Sequence, residues 1–252
     1  FGPDELRRGC GVLDIAGGRG RLSLELAAWP WSSSLSNFVG PSANLGFAEE
    51  GGSSKLCGQK EAGMVPPNGE GGGIQCTLID PLLRKNSGRD HGPWSPRDLK
   101  RILKGGGPMP RHLARPFDAQ DFLRADMGKH DGCVVDGAGG VSGAGLVECS
   151  SCLVGLHPDE ATEDILDVAL RFGRPVAIVP CCVFPDLFPG RRLCGGLTEE
   201  KGRKDGTEGE EVRTYDQFLR YLLEKDERLQ MATLPFEGRN VVIYCNTYGP
   251  IQ

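Results

Sequence analysis

Short apolar runs alternate along the chain with amphipathic stretches bounded by glycine, proline and capping residues. Residues 11–15 (Gly-Val-Leu-Asp-Ile) have the length and composition of a buried strand. A glycine-rich turn over 16–20 and an apolar helix over about 22–28 follow. Residues 75–79 (Gln-Cys-Thr-Leu-Ile) predict a second strand, ending at Asp80-Pro81. Ser95 then caps a helix with Pro96 at its first position, Leu99, Ile102 and Leu103 as its buried stripe, and Gly105 to Gly107 as its stop. A third, weaker strand is expected near 112–117 and a fourth over 152–156. The next helix, about 159–172, carries Asp159, Glu160 and Glu163 in its first turn, where the helix dipole favours carboxylates. Ala161, Ile165, Leu166, Ala169 and Phe172 recur on one of its faces, and Gly173 closes it. A fifth strand falls at 176–179. Thr214 and Gln217 form a capping box for a helix to about Lys225, with Phe218, Leu219, Leu222 and Leu223 inward. Two closely spaced runs, 230–235 and 240–245, predict an antiparallel hairpin. Strands alternating with helices predict an α/β fold, a doubly wound and mostly parallel sheet ending in that hairpin.

Composition modifies this outline by marking what lies outside it. The chain has 38 glycines and 18 prolines, unevenly spread: 32–73 is rich in glycine and serine, 128–151 is rich in glycine, and a charged, glycine-containing stretch covers 191–213. Such segments lack the apolar side chains needed to offset the entropy of ordering, so they are expected as insertions in a single domain spanning 1–252.

The net charge of −5 argues against an extended nucleic-acid groove, which needs a basic face. A local basic cluster remains: Arg84, Lys85, Arg89, Arg97, Lys100, Arg101, Lys104, Arg111 and Arg115. It reads as a solvated helix face with flanking loops or as an RNA-facing patch. Of the ten cysteines, Cys76, Cys152, Cys181, Cys182 and Cys245 lie in or beside apolar runs, where free cysteine behaves as a small core residue. The Cys149–Cys152 pair has no second pair at zinc-finger spacing, so no metal site is expected, and a reducing intracellular compartment fits best. The longest apolar run, about 176–184, is too short to span a bilayer. No signal peptide is visible, although the chain opens on Phe1, which leaves room for an upstream targeting segment.

The most informative segment chemically is Val12-Leu-Asp-Ile-Ala-Gly-Gly-Arg-Gly20. A strand running into a tight glycine turn and then a helix lets a ligand approach the backbone at the carboxyl end of a sheet. A dinucleotide site wants G-x-G-x-x-G so that pyrophosphate reaches the helix N-terminus. Here Ser23 takes the third glycine position and Asp14 stands on the loop approach. A carboxylate there repels phosphate and suits a cationic ligand, which weakens a nicotinamide reading.

This segment resembles motif I of the class I (Rossmann-like) S-adenosylmethionine-dependent methyltransferases. Asp14, Ala16, Gly18 and Gly20 stand in the D-x-G-x-G-x-G frame, with Ala16 in place of the usual first glycine. The resemblance implies S-adenosylmethionine as cofactor, Asp80 on the ribose hydroxyls, and Asp118 (or its rival Asp121) near the adenine amino group. The blocks Leu153-Val-Gly-Leu-His-Pro-Asp-Glu-Ala-Thr162 and Val179-Pro-Cys-Cys-Val-Phe184, with Thr233-Leu-Pro-Phe-Glu-Gly-Arg-Asn-Val-Val-Ile243, resemble a methyltransferase-like branch related to tRNA 2′-O-methyltransferases. In that frame His157 and Asp159 line the methyl-transfer pocket, orienting the acceptor or taking its proton. Related branches often carry Cys-Gly where this chain has Pro158-Asp159-Glu160. RNA is the acceptor the resemblance favours. The alternative is a catalytically inactive methyltransferase-fold module in a larger protein complex, with the insertions as partner-binding segments. Cys181 and Cys182 read as packing residues rather than nucleophiles, since no lysine or arginine neighbours them in sequence.

Overall fold

A seven-stranded sheet of order β3-β2-β1-β4-β5-β7-β6 organises the chain. The structure, a computed structural model, describes residues 1–29, 72–81, 94–123, 143–194 and 209–249. The strands are β1 (Val12–Ile15), β2 (Cys76–Ile79), β3 (Arg111–Leu113), β4 (Cys152–Leu156), β5 (Val176–Val179), β6 (Gln230–Thr233) and β7 (Val241–Cys245). The first five run parallel. β7 pairs antiparallel to β5 and to β6, so the terminal hairpin enters the sheet with its second strand innermost. β1 and β2 are buried along their whole lengths, which is why they read as continuous apolar runs rather than alternating ones.

Helices cover both faces. α2 (Arg21–Ala27) and α3 (Pro96–Lys104) bury Leu24, Ala27, Trp94 and Ile102 against Leu78 of β2. The opposite face receives α4 (Ala119–Leu123), α5 (Gly143–Cys149), α6 (Thr162–Arg171) and α7 (Tyr215–Leu223), whose Phe122, Leu146, Ile165 and Phe218 share one core with Leu13, Ile15 and Leu153. A four-residue helix, α1 (Pro3–Leu6), precedes β1. The predicted caps are present. Ser95 Oγ accepts the Asp98 N–H, and Thr214 and Gln217 satisfy each other's backbone N–H groups.

Several expectations need correction. β3 ends at Leu113 rather than near 117, because Pro116 has no N–H to give a ladder and the chain leaves the sheet edge there. Leu103 is exposed, and Trp94 completes the α3 contact in its place. The helix expected over 159–172 opens as a 3-10 turn (Asp159–Ala161) before α6 begins. Residues 143–149, expected as insertion, form α5, with Ala144, Leu146 and Val147 buried. Its Cys149 bonds to Cys10 rather than pairing with Cys152. Not all cysteines are therefore free thiols. The ends of the stretch 191–213 also pack inward: Arg191, Leu193 and Val212 are buried and Arg192 bridges Glu211. Most of the stretches 32–73 and 128–151, and the middle of 191–213, lie outside the described residues. No helix among the described residues is long and apolar enough to cross a membrane.

Candidate functional site

The chain runs β1, β2, β3 to one side and then returns to place β4 against the other edge of β1. That reversal opens a crevice at the carboxyl ends of β1 and β4, the usual ligand position in open α/β sheets. An open cleft of about 810 Å³ lies there, lined by Ala16, Gly18, Asp80, Phe117, His157 and Asp159 among others. Its rim carries backbone strain. Among the described residues, four that are not glycine take left-handed φ: Ala16 (+53°), His157 (+56°), Asp159 (+48°) and Phe184 (+49°). All four follow the carboxyl ends of β1, β4 or β5, and such conformations persist only where surrounding structure holds them.

The glycine turn is fixed by groups on both sides of it. Asp14 is fully buried beneath the turn, and its Oδ2 accepts the Ser23 N–H at 3.1 Å and the Ser23 hydroxyl at 2.8 Å. Its Oδ1 has no hydrogen-bond partner among the described residues. A Cβ added to Gly17 would stand 2.5 Å from that oxygen, so the turn passes directly over the carboxylate. Burial raises the Asp14 carboxyl above its ordinary range, the Ser23 bonds oppose this, and the nearby Asp80 adds to it. Gly18, at φ +55°, has open space where a side chain would project, and its N–H donates to Asp80 Oδ2 at 2.8 Å. Gly20, at φ +60°, packs where a Cβ would meet Trp94 Nε1 and Leu78 at 2.9 Å, and its carbonyl accepts the Trp94 indole N–H. Only glycine satisfies both demands at that position.

The sequence-predicted residues therefore divide. Ala16, Gly18, Asp80, His157 and Asp159 share the cleft. Asp14 and Gly20 shape the turn from beneath and behind it, away from the lining. Asp118 is exposed and its Oδ1 accepts the Gln120 N–H at 2.8 Å, at the start of α4, while the neighbouring Phe117 reaches the cleft. Asp121 is exposed on α4. The His157 side chain is exposed, and its backbone N–H donates to the Val179 carbonyl, tying the end of β4 to β5.

Other cleft residues were not singled out from sequence. Asp164 of α6 lines the cleft and accepts the Ala119 N–H at 3.2 Å. Burial raises its carboxyl above the ordinary range, with the Ala119 bond opposing and Asp118, Asp167 and Glu163 adding to the rise. Leu187 and Phe188 close another side. Arg191 holds this segment in place: it pairs with Glu163 at 2.7 Å, donates to the Val183 carbonyl at 2.7 Å, and stacks over the Phe188 ring at 3.8 Å. The only sequence signal for Arg191 is one arginine at the edge of a glycine- and charge-rich stretch.

Cys76, Cys152 and Cys245 are buried as expected. Cys181 and Cys182 are only half-buried, because they lie past the end of β5, outside the sheet core. Of the basic cluster, Arg97, Lys100, Arg101 and Lys104 belong to the surface of α3, where Arg101 pairs with Glu25 of α2 at 2.6 Å. Arg84, Lys85 and Arg89 lie outside the described residues. Comparison with protein-family models finds no match, and neither a curated protein nor a solved structure matches the chain.

Proposed function

We propose that this chain is an S-adenosylmethionine-dependent methyltransferase. One observation carries the proposal: the turn after β1, the acid after β2 and the His157–Asp159 pair beyond β4 meet in a single cleft at the switch point of the sheet. The resemblance to the methyltransferase motifs implies that convergence, and the parallel sheet with its antiparallel hairpin is compatible with it. The chemistry of the cleft floor also fits the cofactor. Two carboxylates, Asp14 and Asp80, stand at or beneath the turn, which disfavours phosphate and suits a ligand bearing a sulfonium and an ammonium. Gly18 leaves the space a side chain would fill open toward the cleft.

In this proposal Asp80 holds the two ribose hydroxyls, since one carboxylate accepts two such bonds. The backbone of 16–18 faces the amino-acid end. Bound S-adenosylmethionine supplies a methyl group activated by its sulfonium. His157 and Asp159 then orient the acceptor atom or take its proton, and no covalent enzyme intermediate is needed. RNA is the favoured acceptor on the resemblance alone. The modification of RNA would use the exposed rim of the cleft rather than a long basic groove, given the net charge of −5.

Calorimetric titration with S-adenosylmethionine and S-adenosylhomocysteine tests this. Micromolar-range binding is expected in the wild-type chain, with a loss of at least about tenfold in Asp80→Ala, as for removal of a charge-assisted contact. Asp14→Asn keeps the Ser23 bonds and removes the charge. It is expected to fold and to bind more weakly if that charge favours the cationic ligand. A folded wild-type chain that binds neither compound overturns the enzyme proposal and leaves the inactive module, docking partners through its insertions, as its successor.

A further inference from the structure

The half-exposed side chains just beyond β5 and β4 form a cluster that the methyltransferase proposal does not use as a unit. The donor atoms of Asp159, Cys181 and Cys182 all lie within 4.8 Å of one another. They come from two separate loops brought together by the pairing of β4 with β5. Neighbouring residues in a strand would send their side chains to opposite faces. Cys181 and Cys182 follow Pro180 outside any strand, and there their sulfurs converge. Asp159 meets them from a left-handed backbone at φ +48°, and its Oδ1 accepts the Cys181 S–H at 3.0 Å.

We propose that Asp159, Cys181 and Cys182 bind a single zinc ion. Two sulfurs and one carboxylate oxygen are the donor types zinc prefers, whereas calcium and magnesium want oxygen alone. Tetrahedral zinc, with bonds of about 2.3 Å to sulfur and about 2.0–2.2 Å to oxygen, sets its donors about 3.5–3.8 Å apart. The cluster's donors, within 4.8 Å of one another, are near that spacing, and Asp159 is exposed and both cysteines half-buried. Burial and the bond to Asp159 push the Cys181 thiol up to about 12 in the metal-free cluster.

Three protein ligands leave the fourth tetrahedral position to water or to an incoming group, the arrangement of sites that act on a ligand rather than closed structural ones. Asp159 also lines the cleft, so the cluster adjoins it. This proposal does not rest on the methyltransferase proposal; with zinc bound, Asp159 holds the metal and the proton-taking role falls to His157, and the test requires no cofactor.

The chain, reduced and stripped by chelator, is titrated with Zn²⁺ against a chromophoric chelator, and in parallel with Co²⁺. One metal per chain is expected, with a cobalt spectrum showing thiolate charge transfer and tetrahedral d–d bands. The double variant Cys181→Ser/Cys182→Ser should lose at least about 100-fold in affinity, and Asp159→Asn about tenfold with the charge-transfer band kept. Cys194→Ser, altering an exposed free thiol, should bind as wild type does. Circular dichroism checks that each variant folds, and the cobalt spectrum of the wild type stands whether or not the double variant does. A wild-type cobalt spectrum without thiolate charge transfer overturns the site. Wild-type affinity in the double variant or in Asp159→Asn does so as well.

Discussion

Gly17 and Gly18 are adjacent, yet an added methyl group meets opposite conditions at each. At Gly17 it would press on Asp14 Oδ1 at 2.5 Å, and Asp14 cannot retreat because it is wholly buried and its other oxygen is held by Ser23. At Gly18 it would enter open space in the cleft, with only a left-handed φ of +55° to oppose it. Gly17→Ala is thus expected to lower the unfolding free energy by about 2–3 kcal/mol, and Gly18→Ala by about 1 kcal/mol. Urea unfolding measures both. Cofactor binding should reverse the ranking, because only the Gly18 methyl projects into the cleft. A loss of about tenfold or more is expected there, the effect of one misplaced methyl in a fitted pocket. Sequence reasoning found Gly18 from the motif frame but not Gly17, which falls between the frame's glycine positions. It placed Asp14 on the loop approach as a ligand-facing charge, but the alternation of β1 side chains turns it under the loop, toward α2.

Glu163 shows how one element organises its neighbours. From the first turn of α6 it receives Arg191 Nε and Lys225 Nζ, each at 2.7 Å, together with the Tyr221 hydroxyl. Burial pushes its carboxyl up, but Lys225, Tyr221 and Arg191 together outweigh burial and hold it below its ordinary range. Arg191 has a side chain only 5% exposed, so removing its partner leaves a buried charge unpaired. Glu163→Gln is expected to cost about 3 kcal/mol in thermal or urea unfolding, as for breaking a buried ion pair from one side. Loosening of the 183–191 segment should accompany it, seen as faster amide exchange there, since Arg191 also holds the Val183 carbonyl and the Phe188 ring. The helix itself was legible from its apolar spacing. Its partners were not, because Arg191 and Lys225 lie 28 and 62 positions from Glu163 in sequence, with no local signal.

At the scale of the molecule, Glu163 and Asp14 give stability opposite dependences on pH. Glu163 has a depressed folded value, so its contribution is present above the ordinary carboxylate range and is lost as pH falls through that depressed value. Asp14 has a raised one, so its contribution is fullest at low pH and is lost as pH rises through the raised value. Urea midpoints measured from about pH 3 to pH 7 should therefore fall less on acidification in Glu163→Gln than in the wild type, and more in Asp14→Asn.

What the sequence determined by itself was the set of elements whose signals are local. Apolar runs of strand length, the Ser95 and Thr214 caps, the glycine turn and the terminal hairpin all depend on residues within a few positions of one another. Those signals were enough to predict the parallel sheet and to single out Asp80 and His157 as strand-end residues. Tertiary structure alone decided which strand ends adjoin, since pairing β1 with β4 joins residues 140 apart in sequence. It also decided that α5 is core, that Asp14 supports the turn from below, and that Cys181 and Cys182 meet Asp159. Each of these depends on burial or on a contact between distant segments, and neither has a periodicity that a single chain displays.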